Sequence, residues 1–193
     1  MHLACAEAER NLSFAAMEFR KREGVIPATS ECCKFPIYEC KVLENWEETG
    51  ISPVYVSREL TKDSYVFISY LVDFWCLGVK DTILKFGVSK RDLSHIYNKS
   101  DDLVTISYQD ARSLILGAID FPKAIDIAPH SSWNGIPSSF IEAHLAYEKK
   151  FSFGQEERPH YVSGPNDCEL YNVEEVVKKG SKAHGNDVVH ISA

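Results

Sequence analysis

With 193 residues, 45% of them hydrophobic and 25% charged, the chain has the composition of an ordinary globular protein and length enough for one domain with a sizeable core. Its net charge of −7, concentrated after residue 100, disfavours direct nucleic-acid binding, which usually leaves a basic footprint. Six cysteines do not make a disulfide-dense scaffold, and no apolar run reaches the roughly 18 residues of a membrane-spanning helix. A cytoplasmic protein with reduced thiols and no membrane partner is therefore expected.

The start, MHLACAEAER, lacks a basic segment leading into an apolar run, so no signal peptide is expected. Residues 4–22 read as a helix with Leu12, Ala15, Ala16 and Phe19 on one stripe, ended by Gly24. Pro27, Thr29, Ser30 and Pro36 mark a loop, after which Ile37–Leu43 reads as a short strand. Residues 53–60 alternate, with Val54 and Val56 on one face. The turn at 61–64 leads into a second strand, giving a β-hairpin. That second strand, about residues 65–76, is apolar on both faces and reads as central and covered on both sides.

Beyond Gly78 the apolar spacing of Val79, Ile83 and Phe86 predicts a helix, with Gly87 as its cap. Ser89 with Asp92 predicts the start of another, so that the two would make an αα-hairpin. Ser107 with Asp110 predicts a helix carrying Ala111, Leu114, Ile115, Ala118 and Ile119, ended or kinked by Pro122. Residues 129–138 form a loop, and Ser139 with Glu142 predicts a helix running to about Lys150. A strand at 160–163, a turn at 164–167 and a short helix from Asn172 to about Gly180 follow. The whole reads as α+β: an antiparallel hairpin or sheet packed against several short helices, with an N-terminal helix in addition. Its parts are the N-terminal helix at 1–24, a single domain at 37–180 and a polar tail at 181–193.

The segment 65–81, YVFISYLVDFWCLGVKD, concentrates the functional question. It is the most apolar stretch, yet it carries Asp73, Cys76, Lys80 and Asp81, and a buried carboxylate is costly unless paired or hydrogen-bonded. In a catalytic reading Cys76 is a nucleophile or Asp73 a general base, with Lys80 lowering a neighbour's pKa. In a structural reading Asp73 pairs with Lys80 or caps the turn at Gly78, and Cys76 is a small core hydrophobe. His130 and Trp133, in the loop Pro129-His130-Ser131-Ser132-Trp133, and Asp167, in the later turn, are candidate binding residues. Cys32, Cys33 and Cys40 lack the paired spacing of a zinc site, so neither metal nor cofactor is expected.

The string F-x-x-x-L-V-D-x-x-C-L-G-V-K-D, from Phe67 to Asp81, resembles the signature of a bacterial family to which no activity is assigned. Glu39-Cys40 with Trp46 and Gly50, the stretch 114–120 (LILGAID), and 159–167 (PHYVSGPND) are similar to further elements of it. The likeness spans about residues 37–179 and departs at Phe121-Pro122, where a continuous helix would be expected. It implies a bacterial or phage cytosolic origin and transfers no catalytic residue.

Two functions follow as expectations. One is a non-catalytic protein-interaction or accessory subunit of a larger assembly, with a protein partner or a second copy. The other is a small hydrolase or transferase acting on a small molecule or nucleotide through Asp73, Cys76, Lys80 and Asp81.

Overall fold

The computed structural model of the chain describes residues 31–99, 102–163, 174–176, 178–179 and 191–192. The expected N-terminal helix, the turn at 164–167 with Asp167, and most of the tail lie outside the described residues. Five strands, β1 (Ile37–Leu43), β2 (Ile51–Thr61), β3 (Ser64–Asp73), β4 (Gly78–Ser89) and β5 (Leu103–Ile106), form one antiparallel sheet in the order β4-β3-β2-β1-β5. The helices are α1 (Trp46–Thr49), α2 (Lys90–Tyr97), α3 (Tyr108–Lys123) and α4 (Ile136–Phe140). Val162–Ser163 (β6) and Ile191–Ser192 (β7) pair separately and in parallel. The α+β architecture expected from the sequence is thus present.

The hairpin of β2 and β3 forms as its alternation dictates, closing through Lys62-Asp63 with Asp63 at φ 61. Its inward residues Val54, Val56, Val66, Ile68, Tyr70 and Val72 are fully buried. They pack beneath the apolar stripe of α3, Ala111, Leu114, Ile115, Ala118 and Ile119. That helix starts where expected: Ser107 Oγ accepts the Asp110 N–H at 3.0 Å, and Pro122 sits in its last turn. Ser89 caps α2 in the same manner, at 3.1 Å from the Asp92 N–H.

The opposite sheet face is covered only in part. Helix α2 crosses its hairpin end, where Leu93 and Tyr97 pack on Tyr65, Phe67 and Val88. The Tyr97 hydroxyl lies 3.1 Å from Ser57 Oγ. Among the described residues the other end is left open: Ile51, Leu71 and Ile83 are 39%, 36% and 53% exposed. So β3 is an interior strand flanked by β2 and β4, but it is sealed along its whole length on the α3 side alone.

Three expectations are corrected. Residues 79–86 are strand, not helix, so no αα-hairpin forms there; Ile83 and Lys85 turn to one face and Leu84 to the core, opposite Ile68. The i, i+4, i+7 apolar spacing mixes two faces, since Val79 and Phe86 pack on the core while Ile83 faces out, and β4 carries two bulges, each of which displaces the alternation by one residue. One places Lys80 as the extra residue between the pairs Leu71–Asp81 and Val72–Val79. The other lies between Tyr65–Val88 and Phe67–Lys85, and Gly87, at φ 64, belongs to it rather than capping a helix. Second, residues 139–150 form no long helix. α4 ends at Phe140, and Glu142 takes φ 54, outside the helical region. The carbonyls beyond it bond Arg112 instead, from Ile141 O at 2.9 Å and Glu142 O at 3.1 Å. Third, residues 74–77 are a turn, so the central strand stops at Asp73.

Candidate functional site

The polar residues of the apolar segment gather at the turn joining β3 to β4. Asp73 ends β3 and is 7% exposed. Its Oδ1 accepts the N–H groups of Trp75 and Cys76, each at 2.9 Å, folding the chain back on itself. Burial raises this carboxyl from its ordinary 3.8 to about 6, against the pull of those N–H groups and of the Lys80 charge. The same acceptor geometry is what a cap of the turn at Gly78 requires. Gly78 takes φ +72, and a Cβ there would stand 2.6 Å from Ala118 O, so the turn lies directly on α3. Gly154 N–H bonds Phe74 O at 2.9 Å and His160 N–H bonds Trp75 O at 3.0 Å, which fastens the later segment to the same turn.

Cys76 is 1% exposed in a cluster with Leu77, Ile125, Ile127, Tyr161 and Val176. Burial first, then the nearby Asp73 charge, pushes its thiol far up, away from thiolate. Lys80, 6% exposed, is the bulged residue of β4. Asp81 is half-buried and its Oδ1 accepts the N–H of Thr82 at 2.7 Å. Asp73, Cys76 and Lys80 therefore share one buried neighbourhood, while Asp81 sits on the outer strand with its carboxylate turned to the backbone.

His130 and Trp133 occupy a short helical turn, Ser131–Trp133, against β4. His130 N–H bonds Val79 O at 3.0 Å and its Nδ1 lies 3.0 Å from Ser132 Oγ. Trp133 is 8% exposed and meets Tyr70 edge-on with ring centroids 6.0 Å apart, so it belongs to the core rather than to an exposed contact surface. Asp167 lies outside the described residues. Among the described residues no group of three or more His, Cys, Asp or Glu could hold a metal ion. Burial raises the thiols of Cys32 and Cys40 to about 11 and about 12.

The side chain that ties most elements together was not singled out from the sequence. Arg58, 4% exposed, donates from Nη1 to Cys33 O and Phe35 O, both at 2.7 Å. Its Nη2 donates to the Tyr108 hydroxyl at 2.6 Å and to Phe140 O at 3.0 Å. The guanidinium lies 4.8 Å from the Tyr108 ring centroid and 5.2 Å from that of Phe140. The signal was present: carrying the alternation Val54, Val56 one step further puts an arginine on the buried face.

Comparison with protein-family models, with curated proteins and with solved structures finds no match to this chain. Among the described residues no helix is long and apolar enough to cross a membrane.

Proposed function

We propose that this chain is a non-catalytic interaction module, an accessory subunit of a larger cytosolic assembly of a bacterium or phage. Its contact surface is the open end of the sheet. The carrying observation is that Ile51, Leu71 and Ile83 are exposed together on the face that α2 leaves uncovered. The register sets Pro53 beside Leu71 and Tyr55 beside Ser69, so the patch is continuous across β2 to β4, with Asp81 and Lys85 flanking Ile83 at its outer rim. The turn chemistry supports this reading. Asp73 spends its Oδ1 on two backbone N–H groups and the Cys76 thiol is buried and hard to ionise, as residues that shape a turn would be.

The test is affinity purification from the native host with the tagged wild-type chain and with Leu71→Lys. A stoichiometric partner, or self-association, that the wild type retains and Leu71→Lys loses at unchanged thermal stability supports the module. Equal recovery with both proteins overturns it, as does a monomer carrying a bound metabolite.

A further inference from the structure

We infer that β4 is the seam of a two-fold homodimer, in which the outer strands of two copies pair antiparallel about Ile83. This rests on the interaction-module reading and names its partner as a second copy of the chain.

Four observations carry it. First, β4 is an edge strand of twelve residues, and no strand pairs with its outer side among the described residues. An edge of that length presents main-chain donors and acceptors that another chain can use. Second, the loop at His130–Trp133 reaches that edge as far as the Thr82 side chain, through His130 N–H to Val79 O at 3.0 Å and Thr82 Oγ1 to Ser132 O at 2.7 Å. The bulge at Gly87 ends the regular stretch at the other side. Among the described residues, what remains is the main chain of Thr82–Ile83–Leu84–Lys85, with the Asp81 side chain folded against it.

Third, the main-chain groups in this run point the required way. The Thr82 N–H is taken by Asp81 Oδ1 at 2.7 Å, and the Val79 carbonyl before the bulge is taken by His130 N–H on the outer side; across the bulge this sets Thr82 facing outward. Alternation then turns the main-chain groups of Leu84 outward as well. A two-fold axis at Ile83 sets Thr82 of one copy opposite Leu84 of the other, twice, so that outward groups meet outward groups. The Thr82 N–H then donates to the facing Leu84 carbonyl and the Asp81 carboxylate is released.

Fourth, the charges are self-complementary in that register. Asp81 and Lys85 flank Ile83 at equal spacing on the open face, since Leu71 pairs with Asp81, Ser69 with Ile83 and Phe67 with Lys85. The axis therefore brings the released Asp81 beside Lys85 of the second copy, and Lys85 beside its Asp81. Ile83, at 53% the most exposed large apolar residue among the described residues, meets its own counterpart between these two ion pairs. An isologous contact demands this kind of mirrored pattern, with opposite charges set equally about an apolar centre.

Sedimentation velocity of the full chain over a concentration series tests the seam. The wild type is expected to dimerise. Asp81→Lys and Lys85→Asp are each expected to weaken the dimer about tenfold or more, because each places like charges opposite one another twice. The charge-swapped double variant regains the dimer, and an equimolar mixture of the two single variants forms a heterodimer. Both charge substitutions lie on strand positions that are half-buried (Asp81) or exposed (Lys85), and matching circular dichroism spectra separate lost pairing from lost folding. A wild type that stays monomeric overturns the seam, and so does a dimer indifferent to these charges. If the charge variants change nothing while Leu71→Lys abolishes association, the seam fails and the open-face reading stands.

Discussion

The sharpest test of the β3–β4 turn is the substitution Asp73→Asn followed across pH. The amide keeps an Oδ1 acceptor for the N–H groups of Trp75 and Cys76, each 2.9 Å away, and removes the charge. Burial holds the folded carboxyl at about 6 against an ordinary 3.8, a difference worth roughly 3 kcal/mol. The sign follows from linkage. The fold favours the protonated acid, so this residue's contribution is full below the unfolded value and is lost as pH rises through about 6. The variant lacks that titration, while every other ionisable group is common to both proteins and cancels. Wild-type stability minus variant stability should therefore rise by about 2 to 3 kcal/mol on going from about pH 8 to about pH 4. Any constant offset from the new amide's N–H donors leaves this slope untouched. Urea unfolding, read by the fluorescence of Trp46, Trp75 and Trp133, measures both proteins at each pH. A flat difference refutes the reasoning, and a difference of opposite slope shows that the ionised carboxylate is the form the fold stabilises.

Three further outcomes are expected. Arg58→Met should cost roughly 3 to 5 kcal/mol in denaturant unfolding, because it strands the carbonyls of Cys33, Phe35 and Phe140 inside the protein; a loss below about 1 kcal/mol would show that water replaces the guanidinium. Gly78→Ala should lower stability by about 2 kcal/mol or more, since φ +72 and the nearby Ala118 carbonyl both oppose a Cβ; an unchanged melting temperature would mean that the turn does not rest on α3. Cys76 should resist iodoacetamide at neutral pH until the chain is unfolded, as peptide mapping can show; rapid native labelling would reveal a reactive thiol and revive a catalytic role.

What was legible in the sequence divides along a physical line. Helix α3 and the hairpin of β2 and β3 were readable because each is specified locally, by caps and by an uninterrupted period. Ser107 with Asp110 needs no distant partner, and Val54 and Val56 declare their face on their own. β4 was not readable, because its two bulges break the alternation and Val79, Ile83 and Phe86, drawn from both faces, fall at helical spacing. Only pairing with β3, a contact made across the chain turn, decides between strand and helix there. The stretch after Phe140 failed for a related reason. Ser139 with Glu142 looked like a helix start, but Arg112 on α3 takes the carbonyls of Ile141, Glu142 and Leu145 for itself.

The same line explains the candidate site. Sequence alone could say that Asp73 was out of place but not what it bonded, because its partners are main-chain groups two and three residues ahead, exposed only by the turn that it makes. Lys80 is out of place for the complementary reason. A bulge inserts it into the edge of the sheet, beside the strand end where Asp73 lies buried. The bulge that brings this cation near the carboxyl also shifts Asp81, Ile83 and Lys85 onto the open face. One bulged residue thus supplies the cation beside Asp73 and takes up the extra length that sets Asp81 opposite Leu71. Deleting Lys80 should separate the two: the bulge closes with Asp81 still opposite Leu71, so Ile83 and Lys85 keep the open face, while Asp73 loses its neighbouring cation and the fold's preference for its protonated form grows.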